Sequence, residues 1–334
     1  MRAWLAAAFL AAQPALAAEV VDATGRSVAV PAPAARVFIA GPPAAALVYA
    51  LAPEALLGWS HGRPPPDLLL PAARDLPELP PTVDDAGKPN VAAIAASGAD
   101  LVLDYGTVRD SYVAQAEAVQ AASGVPALLL DGRLDAIPAT LRALGGVVGT
   151  AERAGALADY AEATLAEVDA TLARVPAEAR PRAYLARGAD GLQSGGAGSI
   201  NAEILGRVGA VNVVEAPPGR NLVEVTPEQL AAWAPDVIVT QDAGFAAAAA
   251  ALPAWKDVPA VQAGRVLLAP RAPFGFLDGP PSVNRLIGLR WLTHKLYPDA
   301  AEGDLRADVR DFYALFYQVD LDDTALDTLL GPAR

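Results

Sequence analysis

Two stretches far apart in the chain follow one plan. Residues 90–104 read NVAAIAASGADLVLD, and residues 226–240 read TPEQLAAWAPDVIVT. Each opens on a polar residue suited to cap a helix, Asn90 or Thr226. Each then runs through a short helical phrase to Ala-Asp or Pro-Asp and into an apolar run of strand length. A helix feeding a buried strand is half of an alternating unit, and such units build mostly parallel sheets covered on both faces. Two copies about one domain length apart predict two α/β lobes, and two lobes enclose a cleft.

The flanking residues extend both lobes. Residues 20–30 (VVDATGRSVAV) read as two short strands about a Thr24-Gly25 turn. Residues 36–40 form a strand that Gly41-Pro42-Pro43 ends, with a helix over 44–51 and a second strand over 56–60. Residues 62–89 are rich in proline and polar groups and predict a surface loop. A helix over 112–123, closed by Gly124, precedes a strand over 125–130. In the second half, 183–186, 237–240 and 266–269 read as strands and 201–208 as a helix. From Ser282 the chain is helical through Leu286, Leu289, Leu292 and Leu296, and it ends in an aromatic helix around Phe312, Phe316 and Tyr317. Between the halves, Ala154, Leu157, Ala161, Leu165, Val168, Leu172 and Val175 step by three and four. That spacing predicts one long helix, with Thr150 at its cap and Pro176 beyond its end. The expected plan is an α/β protein of two Rossmann-like lobes, 19–136 and 177–334, joined by a connector helix within 137–176.

Composition narrows the class. A net charge of −13 over 334 residues opposes nucleic-acid binding, which needs a basic face. Without cysteine there is no disulfide and no thiolate metal site. Residues 1–18 have the form of a secretory signal: Arg2, an apolar run too short to span a bilayer, and small residues at Ala15 and Ala17. Cleavage near Ala17 or Ala18 would release a soluble, exported protein.

Ligands of open α/β sheets bind beyond the carboxyl ends of the strands. Here those ends carry Gly41-Pro42-Pro43, Trp59-Ser60-His61, Asp104-Tyr105-Gly106, Arg187, Gln241-Asp242 and residues 271–278. Tyr105 can stack on a flat ligand, ligate a ferric ion or simply pack between lobes. Trp59 is a second aromatic wall. Arg187 and Arg271 can pair with carboxylates or an oxyanion, and Phe274 and Phe276 flank a glycine as an apolar face. The glycine-rich run from Ser194 to Ser199 offers backbone N–H groups to an anion or is a plain turn. The only histidines are His61 and His294, too few for a bare zinc or manganese site. A metal would have to arrive already chelated. No acid–base constellation supports an enzyme.

Taken in order, residues 22–31 (DATGRSVAVP), Arg36-Val37, residues 89–94 (PNVAAI), 99–103 (ADLVL), Gly124-Val125-Pro126, 226–230 (TPEQL), 235–239 (PDVIV), 258–266 (VPAVQAGRV) and 280–286 (PPSVNRL) resemble the periplasmic substrate-binding proteins of type II ABC importers. That class binds ferric siderophores, haem and vitamin B12. The resemblance covers nearly the whole exported chain. It implies a periplasmic, monomeric receptor whose lobes are held by one rigid helix. Such a receptor has no intrinsic cofactor and delivers a metal chelate to a permease and its ATPase. Some members carry molybdate or tungstate instead, which is the alternative ligand; a secreted enzyme on the same fold is the weakest reading. The resemblance also implies one carboxylate per lobe docking on the permease. Glu228 matches that position in the second lobe and Asp110 is the nearest match in the first.

Overall fold

The computed structural model describes residues 17–215 and 220–331. The signal-like residues 1–16 lie outside this range.

The first lobe opens with an antiparallel pair, β1 (Ala17–Val21) and β2 (Ser27–Pro31). It continues as a parallel sheet of order β3-β4-β5, with β3 at Val37–Ile39, β4 at Leu101–Gly106 and β5 at Ala127–Asp131. Its helices are α1 (Pro42–Leu51), α2 (Pro71–Arg74), α3 (Val91–Ser97) and α4 (Asp110–Ser123). The strand expected over 56–60 is absent as a ladder. Leu56 makes one bridge to Val37 and Trp59 one to Glu78, because the proline-rich loop turns the chain away.

The expected connector over 137–176 is two helices, α5 (Ile137–Val147) and α6 (Ala151–Arg174). Gly149 adopts a φ of +76°, the left-handed turn that ends α5 and starts the chain back along it. The long helix predicted from Thr150 is α6. Thr150 holds the cap position, but its hydroxyl makes no capping bond.

The second lobe is a parallel sheet of order β11-β10-β6-β8, with β6 at Arg182–Ala186, β8 at Val211–Asn212, β10 at Val237–Thr240 and β11 at Val266–Leu268. A small antiparallel pair lies beside it, β7 (Gln193–Gly195) with β9 (Leu222–Glu224). Helices α7 (Glu203–Arg207), α8 (Pro227–Trp233), α9 (Ala243–Ala248) and α10 (Pro259–Gln262) surround it. The chain closes with α11 (Arg285–Leu296), α12 (Leu305–Phe312), a π-helical turn at Tyr313–Tyr317 and α13 (Asp323–Leu330).

The repeated phrase is one structural device built twice. Asn90 accepts a hydrogen bond from the Ala93 N–H to start α3, and Thr226 with Gln229 forms a full capping box on α8. Each helix ends in a left-handed residue, Gly98 or Ala234. The aspartate that follows clamps the start of the neighbouring strand. Asp100 accepts from the Ala35 and Arg36 N–H groups at 2.9 and 3.0 Å, and Asp236 accepts from the Arg182 N–H at 2.8 Å. The arginines reciprocate: Arg36 donates to the Ser97 and Gly98 carbonyls, and Arg182 to that of Trp233. Each ring of bonds fixes a helix against a strand pair, β3 with β4 or β6 with β10.

The lobes share one core. A single buried cluster runs from Val37 and Leu101 through Leu157 on α6 to Leu185, Val237 and Phe312. The C-terminal turn returns to the first lobe, where the Tyr49 hydroxyl donates to the Tyr317 carbonyl and Arg153 donates to the carbonyls of Ala50 and Leu315.

Candidate functional site

The carboxyl ends of the parallel strands from both lobes line a cleft of about 640 Å³. Four of the expected residues meet there: Trp59, Arg187, Arg271 and Phe274. Pro42 and Pro43 at the start of α1, Pro64 and Pro65, and Pro273, Pro280 and Pro281 supply most of the remaining apolar wall. Proline suits such a wall because it adds apolar surface and leaves no N–H to satisfy.

Arg187 follows β6, and its guanidinium donates to the buried carboxylate of Asp278. Asp278 also accepts from the Asn201 amide at 3.1 Å and the Gln241 amide at 3.4 Å. This network orients Arg187 at the cleft surface. Burial, and after it the neighbouring Arg271, hold its pKa below the ordinary arginine value, even with Asp278 alongside. Arg271 follows β11, is exposed, and is in no ion pair among the described residues. The two guanidiniums therefore give the second lobe's wall an uncompensated positive charge.

Trp59 and Phe274 stand opposite, tilted against each other at 6.1 Å between ring centroids. Both are almost wholly buried: the Trp59 indole N–H donates to the Ala73 carbonyl at 3.0 Å, and Tyr49 packs behind both rings. They form a rigid back wall and present little surface of their own.

A second compartment of about 380 Å³ adjoins the first. The two share Pro43, His61, Asn201 and Pro281. His61 stands at the junction with a φ of +56°, a strained backbone for a residue with a side chain, and its Nδ1 lies 2.7 Å from the Ser60 hydroxyl. Asp104 and Tyr105 belong to this compartment. Tyr105 is 2% exposed, and its hydroxyl is buried without a partner among the described residues. Burial raises the Tyr105 phenol well above its ordinary range, so it stays protonated.

Two expected contacts are not in the cleft. Ser194 is fully buried on β7 and lines neither compartment. The glycine run after it is no anion nest, because the protein's own carbonyls take its N–H groups. Gly196 donates to Asn221, Ala197 to Val214 and Ser199 to Gly196. Phe276 alternates inward from Phe274 and is buried in the shared core. Asp110 and Glu228 each lie in the first turn of a helix, exposed and outside both compartments. The backbone N–H at the start of α8 and the Thr226 side chain hold the Glu228 carboxyl below its ordinary value.

Among the described residues no three His, Cys, Asp or Glu side chains come together as a metal site, and no helix is long and apolar enough to cross a membrane. Asn201 is not among the strand-end candidates, while Asp278 and His61 are named there without a ligand role. Nothing in the sequence said that Asp278 would turn inward to hold Arg187.

A cleft between two α/β lobes, walled by strand ends, is the geometry of a two-lobed binding protein. The chain belongs to the periplasmic binding protein family, whose model matches residues 60–273. An ABC transporter solute-binding protein from Sulfurospirillum deleyianum is 28% identical, covering 93% of this chain and 98% of its own, with a TM-score of 0.84. A periplasmic solute-binding protein from Veillonella parvula is 23% identical over 94% and 97%, with a TM-score of 0.73. The molybdate periplasmic binding protein of Haemophilus influenzae, solved with molybdate, is 20% identical over 91% and 99%, with a TM-score of 0.76. No curated protein matches the chain significantly.

Proposed function

We propose that the protein captures an anionic metal chelate between its lobes and delivers it to the permease of an ABC importer. The observation that carries this reading is the placement of Arg187 and Arg271 together on one side of a cleft walled largely by prolines. A volume of about 640 Å³ is that of a drug-sized ligand. A bare tetrahedral oxyanion would fill a small part of it. Two guanidiniums, that of Arg187 held by Asp278, and a proline-rich wall suit a ligand with carboxylate or phenolate oxygens on an organic frame. With no cluster of metal-ligating side chains among the described residues, the chelator supplies the donors.

Calorimetry with size-matched ferric chelates of opposite net charge, and with molybdate, tests the reading. Anionic chelates should bind one to one, and Arg271→Ala should weaken them by about 1.5–3 kcal/mol, the range for a charged hydrogen bond. Equal affinity for cationic chelates would overturn it. Tight molybdate binding with no chelate binding would establish the oxyanion alternative.

Asp110 and Glu228 are proposed as the docking carboxylates, one on each lobe. Charges outside the ligand cleft act on encounter with a partner. The double variant Asp110→Ala, Glu228→Ala should bind ligand as wild type does and fail to stimulate ATP hydrolysis by the reconstituted transporter. Full stimulation would reject the assignment.

A further inference from the structure

The second compartment differs in charge from the first. On β4, Leu101, Leu103 and Tyr105 face the shared core, while Val102 and Asp104 face the other way, toward α4. Asp104 thus turns its carboxyl into the smaller compartment, where Thr82, Gln115 and Tyr112 also stand. No Arg or Lys lies on its described walls, and Asp104 is in no ion pair among the described residues. The backbone N–H of Tyr105, next in the chain, faces it. Asp104 is half-buried, and a carboxylate drawn partly out of water is costly unless a cation or several donors meet it.

We infer that the second compartment is a subsite for a cationic, hydrogen-bond-donating arm of the transported ligand, recognised by Asp104. The inference rests on the anionic-chelate reading above and deepens it. The compartments meet across Pro43, His61, Asn201 and Pro281, so one ligand reaches both. Its anionic head lies at Arg187 and Arg271, and an ammonium arm enters beside Asp104. The cleft then selects a ligand with charges of opposite sign at its two ends. The first compartment alone would accept any anion of suitable size. Tyr112 closes the outer side: Arg109 donates to its hydroxyl at 2.8 Å and lies over its ring at 4.4 Å, which fixes that wall.

The test uses synthetic ferric aminopolycarboxylates with one anionic head. Each carries an aminoalkyl arm of graded length, or the uncharged acetamidoalkyl or alkyl arm in its place. Calorimetry should show the wild type preferring the best-fitting ammonium arm over its uncharged counterparts by roughly tenfold or more, the range of a charge-assisted hydrogen bond. Asp104→Asn keeps the shape of the side chain and should erase that preference while still binding the alkyl compounds. Arg271→Ala should weaken all the probes alike and leave the preference intact. A wild type indifferent to the arm, or an Asp104→Asn variant that keeps the preference, overturns the inference and leaves the anionic-chelate reading standing. Failure of the wild type to bind any of the probes overturns both. Thermal melts of each variant separate loss of recognition from loss of fold.

Discussion

Asp100, Asp236 and Asp104 show how little residue type says about role. The first two sit at matching places in the repeated phrase and clamp the start of a neighbouring strand. Asp104 lies near the end of its strand, at the place where the second copy has Thr240. Burial raises the Asp104 carboxyl above its ordinary value of 3.8, and the Tyr105 N–H opposes the rise. The sign follows from linkage. A carboxyl whose folded pKa is raised disfavours the native state when pH lies above that value, because the charged form is the one penalised. The penalty fades as pH falls and is gone once the group is protonated in both states. Asp104→Asn should therefore melt above wild type at neutral pH, and the gap should close as pH falls toward 3.8. A gap that is constant with pH would mean that Asp104 is solvated. Strand-end position, readable from sequence, placed Arg187, Arg271, Trp59 and Phe274 together. It could not separate Phe274 from Phe276, since the inward or outward turn of a loop residue depends on packing that no local pattern encodes.

Secondary elements were legible where periodicity or capping was strong. The helix from Thr150, the helix closed by Gly124 and both copies of the repeated phrase stand where the spacing put them. The break between α5 and α6 was signalled only by glycines, which mark both turns and close contacts. The run over 56–60 has strand composition, but the proline-rich segment beyond it leaves only single bridges. Helix α11 supplies a prediction at this scale. An alanine at Gly288 would by helix propensity stabilise by about 1 kcal/mol. Here its Cβ would collide with the Phe276 carbonyl oxygen of the loop behind the cleft. Gly288→Ala should instead destabilise by about 1–3 kcal/mol, the usual cost of overpacking. Denaturant titration decides the sign, and a gain in stability would show that the loop has room to move.

At the scale of the molecule, the lobes are joined by more than a connector. Arg285 is fully buried between them, paired with Glu203 at 2.8 Å and donating to the carbonyls of Ile200 in the second lobe and Gly132 in the first. Glu203 in turn accepts from the Leu134 N–H at 3.1 Å. With the aromatic C-terminal turn packed on α1, the two lobes form one body around a preformed cleft. None of this was legible in the sequence, because the partners of Arg285 lie far from it along the chain. A preformed cleft with two guanidiniums at its wall retains its ligand through purification if the affinity is high. Native mass spectrometry with elemental analysis of the protein isolated from the periplasm of its own host therefore tests chelate capture most directly. One bound species per chain is expected, organic and anionic, with a stoichiometric metal. A protein carrying a bare oxyanion, or a metal held with no organic chelator, would contradict chelate capture.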